Sequence, residues 1–219
     1  MGRSSSRLAT RMSEEQLRRT PLYHRHSALG ARLVPFAGWE MPVQYSGVID
    51  EVKAVRSAAG LFDVSHMGEL HVSGPASLAW LNSVTTNDVA RLRPGRAHYS
   101  LLLDQDAGIL DDILVYCIGD EDYMVVVNAS NADKDREWLE GKLVPGVTLD
   151  DSSMVTSLIA LQGPLSQEIL QPLCTGPLGE LREVQQLGGP LLHQPSRQPE
   201  VPAVDEDVLL DGQLLVEGV

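Results

Sequence analysis

Basic residues are scarce in this chain: 17 Lys and Arg stand against 30 Asp and Glu, a formal charge of -13. A surface that neutralises phosphates would have to be built against that average field, which excludes nucleic acid as the main partner. Cysteine occurs twice, at Cys117 and Cys174, far apart and without a CxxC spacing. Neither a disulfide framework nor a zinc site is signalled, and a reduced compartment is the default. No apolar run approaches the roughly 18 to 20 residues of a spanning helix, and no apolar stretch follows the start. The chain therefore reads as soluble and unsecreted. A bacterial-type cytoplasm comes first, with the mitochondrial matrix as the alternative because residues 1–12 are rich in Arg and Ser and free of acid. Aromatic residues make up 5% of the chain, with two Phe, so aliphatic packing must carry the core. What the sequence has in quantity is apolar residues: 43% of 219 is enough for one large domain or two small ones.

The first 18 residues have no apolar period and read as a mobile or targeting tail, although SEEQLRRTPLY could form a short helix capped by Ser13. VIDEVKAVRSAAG spaces Ile49, Val52 and Val55 as a helix and stops on Gly60. LFDVSHMGELHVSG alternates, as a strand with a hairpin or bulge at Gly68 does. PASLAWLNSVTTND begins a helix near Pro75. AHYSLLL, ILDDILVYCI and YMVVVNA are strands separated by polar turns. SNADKDREWLEGKL returns to a helical period, and a further strand is expected around Val147. Strand, helix, strands, helix, strand is the order of a ferredoxin-like split βαβ module, so the fold class is α+β. SMVTSLIALQGPLSQEILQPL adds a strand, a turn and a helix from Pro164 or Leu165. From Glu183 to Val219 the composition changes, with seven acids, one Arg and many Pro and Gly. Such a segment is expected to stay solvated and disordered.

Alternation sends Asp111 and Asp112 to opposite faces of their strand. Either the strand begins at Ile113 and both acids lie in the preceding turn, or one carboxylate is held in a cleft where it can take a proton or bind an N–H group. Asp63, Ser65 and His66 sit too close along one strand to form a relay, so His66 is read as a structural histidine. His24 and His26, with no carboxylate at ligand spacing, read as solvated. FAGWEMPVQY reads as an apolar loop that covers the core or walls a pocket for a flat ligand.

RTPLYHRHSALGARLVPFAGWEMPVQY, LFDVSHMGEL, GILDDILVY, YMVVVNASNADKD and LIALQGP, in that order, closely resemble the N-terminal half of the aminomethyltransferases, the T-proteins of the glycine cleavage system. The resemblance runs from about Arg19 to about Leu173. It implies a split βαβ domain over residues 61–151 inserted in an incomplete Greek-key-like first domain made of residues 19–60 and 152–182. It implies transfer of a methylene group from the S-aminomethyl-dihydrolipoyl arm of H-protein to tetrahydrofolate, releasing ammonia and the reduced arm. Position by position, Asp112 matches the catalytic aspartate near the pterin, while Met67, Tyr99, Val126 and Asn128 match positions that contact the folate. No metal is implied.

The resemblance also implies parts that this sequence lacks. After the QGP helix the family continues into a GYTGEDG-like motif with a pterin-binding Glu, an Arg toward the folate tail, and a third domain. Residues 183–219 match none of these and resemble a shifted reading frame or an alternative terminus, so a truncated and impaired enzyme is expected. The alternative from the same superfamily is a folate-binding regulatory or tRNA-modifying protein without aminomethyltransferase activity.

Overall fold

A computed structural model describes residues 17–174 and residue 178, together with the backbone of residues 185–187 and 212–216. The chain opens with helix α1 (Tyr23–Ala28) and a hairpin of β1 (Arg32–Phe36) and β2 (Trp39–Gln44). Helix α2 (Val48–Ser57), β3 (Gly60–Asp63), β4 (Gly68–Ser73) and α3 (Ser77–Val84) follow. Then come β5 (Arg96–Leu103), β6 (Ile109–Gly119), β7 (Asp122–Val127), α4 (Ala132–Glu140) and β8 (Thr148–Asp151). Strand β9 (Ser157–Gln162), helix α5 (Ser166–Leu170), β10 (Gln185–Leu187) and β11 (Gly212–Val216) complete the described elements.

Among the described residues nine strands form one sheet, in the order β3-β9-β11-β10-β5-β6-β7-β4-β8. Strand β4 lies antiparallel between β7 and β8, so β7 and β8 run parallel with a strand between them and α4 connecting them. That is the split βαβ arrangement, and the fold is α+β as the element order implied. Leu70, Val72, Ile113, Val115, Val125 and Val127 face one side of the sheet, where Trp80, Leu81 and Leu139 of α3 and α4 cover them. Aliphatic side chains make up most of this core. Glycine is required where α4 crosses β4, because a Cβ on Gly68 would stand 2.6 Å from Val127 Cγ2 and 2.9 Å from Ala132 Cβ.

Several local expectations are corrected. FAGWEMPVQY is no loop: Ala37 and Gly38, at φ 48° and 82°, make a two-residue turn that pairs β1 with β2. Pro35 and Pro42 are tolerated because the pair forms a separate two-stranded sheet with open edges. No hairpin forms at Gly68. Residues 64–67 turn the chain between β3, which pairs with β9, and β4, which pairs with β7 and β8. The helix expected from Ser13 is not helical over residues 17–22; there Arg18 bridges to Trp39, its N–H donating to Gly38 O at 2.9 Å. The remainder of the expected N-terminal tail lies outside the described residues. So does most of the segment from residue 183, expected to be solvated. Where that segment is described the backbone is extended and paired: β11 runs parallel to β9, and β10 lies between β11 and β5.

Candidate functional site

The face of the sheet away from α3 and α4 gathers the residues singled out in the sequence. Cross-strand partners project to the same side, and the register sets Tyr99 opposite Leu114, Leu114 opposite Val126, and Val126 opposite Glu69. Asp112 lies two residues before Leu114 and so faces the same way. Met67, just before β4, packs with Val126, Met124, Tyr116 and Leu158 on this side. Tyr99 is 55% exposed and Val126 2% exposed, so the face runs from a wet aromatic rim to a dry apolar floor.

Both acids of ILDD lie inside β6, on opposite faces, and the reading in which they precede the strand is set aside. Asp112 is exposed on the open face, whereas Asp111, 4% exposed, points toward α4. Asp111 Oδ1 accepts from Asn128 Nδ2 at 3.0 Å and Asn131 Nδ2 at 2.7 Å, and Oδ2 accepts from Asn128 N–H at 3.0 Å. Burial alone would raise this carboxyl; the hydrogen bonds from Asp135, Asn128 and Asn131 reverse that and hold it below the ordinary range. Asn128 also turns Nδ2 toward Asp112, 3.0 Å from its carbonyl and 3.3 Å from its Oδ1. One amide therefore joins the buried acid to the exposed one. Asn131, at the N-cap position of α4, makes no side-chain cap and spends its amide on Asp111 instead.

Four further ionisable groups were not singled out in the sequence or behave otherwise than expected. Glu69, 0% exposed on the same face as Val126, is pushed up to about 9 by burial and then by Asp151, so its carboxyl is neutral at pH 7. Asp135 of α4, 0% exposed, is pushed up to about 7 by burial and by Asp111. Its signal was available: Asp135 falls on the same helical stripe as Ala132 and Leu139, an inward position for an acid. His26, expected to be solvated, is 7% exposed and lies 2.8 Å from both Asp63 Oδ2 and the Tyr45 hydroxyl. His66, expected to be satisfied, has its Nδ1 buried without a partner and packs edge-on against Phe36.

Residues 22–184 match the family described as GCVT N-terminal domain. The chain belongs to that family. It is 51% identical over 168 residues to the aminomethyltransferase of Desulforamulus reducens, a match covering 77% of this chain and 46% of that protein. It is 54% identical over 166 residues to the aminomethyltransferase of Symbiobacterium thermophilum, covering 74% and 44%. The crystal structure of glycine cleavage system aminomethyltransferase T from Bartonella henselae superposes with a TM-score of 0.71 at 36% identity, over 78% of this chain and 47% of that one. The resemblance read from the motifs is thus one of family and of fold. The chain spans about half the length of the curated relatives it matches. Among the described residues no helix is long and apolar enough to cross a membrane.

Proposed function

We propose that this chain provides the folate-facing sheet of a glycine cleavage system aminomethyltransferase. The observation that carries the reading is the convergence of Asp112, Tyr99, Met67 and Val126 on one face of the sheet, away from α3 and α4. Tetrahydrofolate suits this face chemically: a flat ring with N–H groups meets an aromatic rim, an apolar floor and an exposed carboxylate acceptor. When bound, tetrahydrofolate supplies the nitrogens that take up the one-carbon unit. Asp112 accepts a hydrogen bond or a proton from a ring nitrogen, and its charge stabilises positive charge developing beside it. Val126 and Met67 keep water from the inner edge of the ring, Tyr99 covers it from the rim, and Asn128 Oδ1 remains as a second acceptor while Nδ2 holds the two acids.

The donor in this reading is the aminomethylated lipoyl arm of H-protein, supported by the naming of relatives about half identical to this chain as aminomethyltransferases. Bacterial relatives support a cytoplasmic setting. Calorimetric titration of the chain with tetrahydrofolate tests the proposal. Saturable binding that weakens at least about tenfold in Asp112→Asn, the loss of roughly one charge-assisted hydrogen bond, is expected. Equal binding by both proteins overturns it. Binding without ammonia release on addition of aminomethylated H-protein favours the superfamily alternative, a folate protein lacking transferase activity.

A further inference from the structure

The geometry points to Asp135 as a positioning residue for Asp112, acting through Asp111 and Asn128. The inference rests on the reading of Asp112 as the folate-facing acid. Asp135 lies one helical turn beyond Asn131, its N–H donating to Asn131 O at 2.8 Å, and Asn131 Nδ2 is 2.7 Å from Asp111 Oδ1, so the Asp135 carboxyl sits on the face of α4 that meets Asp111. Both groups are buried, at 0% and 4% exposure. Apart from the Lys134 ammonium, 3.5 Å from Oδ1, no donor reaches the Asp135 oxygens. Two facing carboxylates in such a place do not both stay ionised. A single proton on Asp135 resolves the contact, because Asp135 then donates an O–H to Asp111.

The acceptor count on Asp111 agrees. A carboxylate offers about four lone-pair positions, and three are filled by Asn128 N–H, Asn128 Nδ2 and Asn131 Nδ2. The Asp135 hydroxyl fills the fourth. Asp111 so held fixes the amide plane of Asn128, and that plane carries the contacts to Asp112 O and Oδ1. The relay thus starts on the closed side of the sheet and ends on its open side.

The proton is placed to respond to pH. The charged groups that face Asp135 are Asp111 from β6 and Lys134 from its own helix, whose Nζ is also 2.7 Å from Leu110 O. Strand β4 offers Gly68, without a side chain. The remaining nearby charges pair with one another at the exposed side of α4: Asp133 with Arg18 and Arg136, and Arg136 also with Glu140 and with Asp151 of β8. When the proton leaves Asp135, a second negative charge stands against Asp111. The Asn128 amide then loosens and Asp112 loses its fixed orientation.

The test follows the side-chain amide signals of Asn128 by NMR, and tetrahydrofolate affinity by calorimetry, at about pH 6 and about pH 8.5, on either side of the Asp135 range. In the unaltered chain the Asn128 side-chain amide is expected to be protected from exchange at the lower pH and to lose protection at the higher, with affinity falling about tenfold. Asp135→Asn, which keeps a donor to Asp111 and cannot ionise, is expected to show protection and affinity that no longer change with pH. Asp135→Leu is expected to lose both at either pH. Protection that is insensitive to pH in the unaltered chain, or an Asp135→Asn variant that keeps the full pH response, overturns the inference. Absence of tetrahydrofolate binding at both pH values sinks the functional reading instead, and the Asn128 signals then decide the relay by themselves. Should Asp135→Leu not fold, Asp135→Asn carries the test.

Discussion

His26 Nε2 lies 2.8 Å from Asp63 Oδ2, joining α1 to the end of β3, with the Asp63 side chain 1% exposed. On the other side of the ring Nδ1 is 2.8 Å from the Tyr45 hydroxyl. A neutral imidazole satisfies both contacts, with Nε2–H donating to Asp63 and Nδ1 accepting from the phenol. Burial alone would raise the Asp63 carboxyl, but hydrogen bonds led by that from His26 hold it below the ordinary range. An acid lowered in the folded state contributes stability that is complete above its unfolded value of about 4 and is lost as pH falls through its folded value. His26→Ala leaves this carboxylate buried and short of a donor, and a loss of about 3 kcal/mol at neutral pH is expected. Urea unfolding across about pH 3 to 7 checks it: the acid-side decline of the unaltered chain should be shallower in the variant.

Glu69 behaves in the opposite sense. Its folded carboxyl is pushed from 4.5 up to about 9, so below about pH 4 it carries no ionisation cost, and it lowers stability progressively as pH rises toward 9. Between 4.5 and 7 the difference is 2.5 units, about 3 kcal/mol at roughly 1.36 kcal/mol per unit. Glu69→Gln keeps the shape and removes the titration. It is expected to be more stable than the unaltered chain at about pH 8 by roughly 1 to 3 kcal/mol, allowing for an amide without partners, and no more stable at about pH 5. Denaturant midpoints at the two pH values read this directly, and a variant less stable at both would contradict it.

How far the sequence could be read is visible in these same residues. Period-2 and period-3.6 patterns located α3, β5, β6, β7 and α4, because each puts an apolar stripe or alternate positions against one core; α2 follows the helical period although none of its residues is buried. Alternation also separated Asp111 from Asp112, but it could not say which faced water, since that depends on where α4 lands. The His26–Asp63 pair spans 37 residues and joins elements with no shared period, so no local signal announces it. The β1–β2 hairpin was hidden by its chemistry: Ala occupies a turn position that usually takes Asn or Gly, and each strand holds a proline. Family motifs singled out Asp112, Met67, Tyr99, Val126 and Asn128 as candidates, and register and packing set the first four on one face. The second task of Asn128, holding two acids at once, became legible only with the side chains in place.

Gly163 in the QGP turn illustrates a motif residue whose reason is steric. Its φ is +116°, and an added Cβ would stand 2.5 Å from Val55 O and 2.6 Å from Ala58 O at the end of α2. That close approach lets Leu165 N–H donate to Ala58 O at 2.9 Å, which ties α5 to α2. Gly95 also has a positive φ, +79°, but a Cβ added there would meet nothing within 4 Å. Gly95→Ala therefore isolates backbone strain, expected at about 1 kcal/mol, while Gly163→Ala adds the clash and should cost about 3 kcal/mol or more. Thermal unfolding of the two variants side by side decides it; equal losses would show that the helix end yields.

The two acids of β6 should separate binding from stability. Asp112 is exposed and receives one long contact, 3.3 Å from Asn128 Nδ2 to its Oδ1, so Asp112→Asn removes charge from the open face with little consequence for packing. Its unfolding free energy is expected to stay within about 0.5 kcal/mol of the unaltered chain, as for a surface change. Tetrahydrofolate binding should fall by an order of magnitude or so. Asp111 is buried and accepts from three N–H groups at 2.7 to 3.0 Å. Asp111→Asn turns one acceptor oxygen into a donor facing donors, leaving Asn128 or Asn131 unsatisfied. A loss of about 2 to 4 kcal/mol in stability is expected, since hydrogen bonds to a charged group contribute roughly 1.5 to 3 kcal/mol each and are not additive. Its folate affinity should fall too, through the slackened Asn128 amide. Urea unfolding and calorimetry on both variants distinguish the roles. An Asp111→Asn chain as stable as the unaltered one, or an Asp112→Asn chain that is strongly destabilised, would reverse the assignment of the inner and the outer acid.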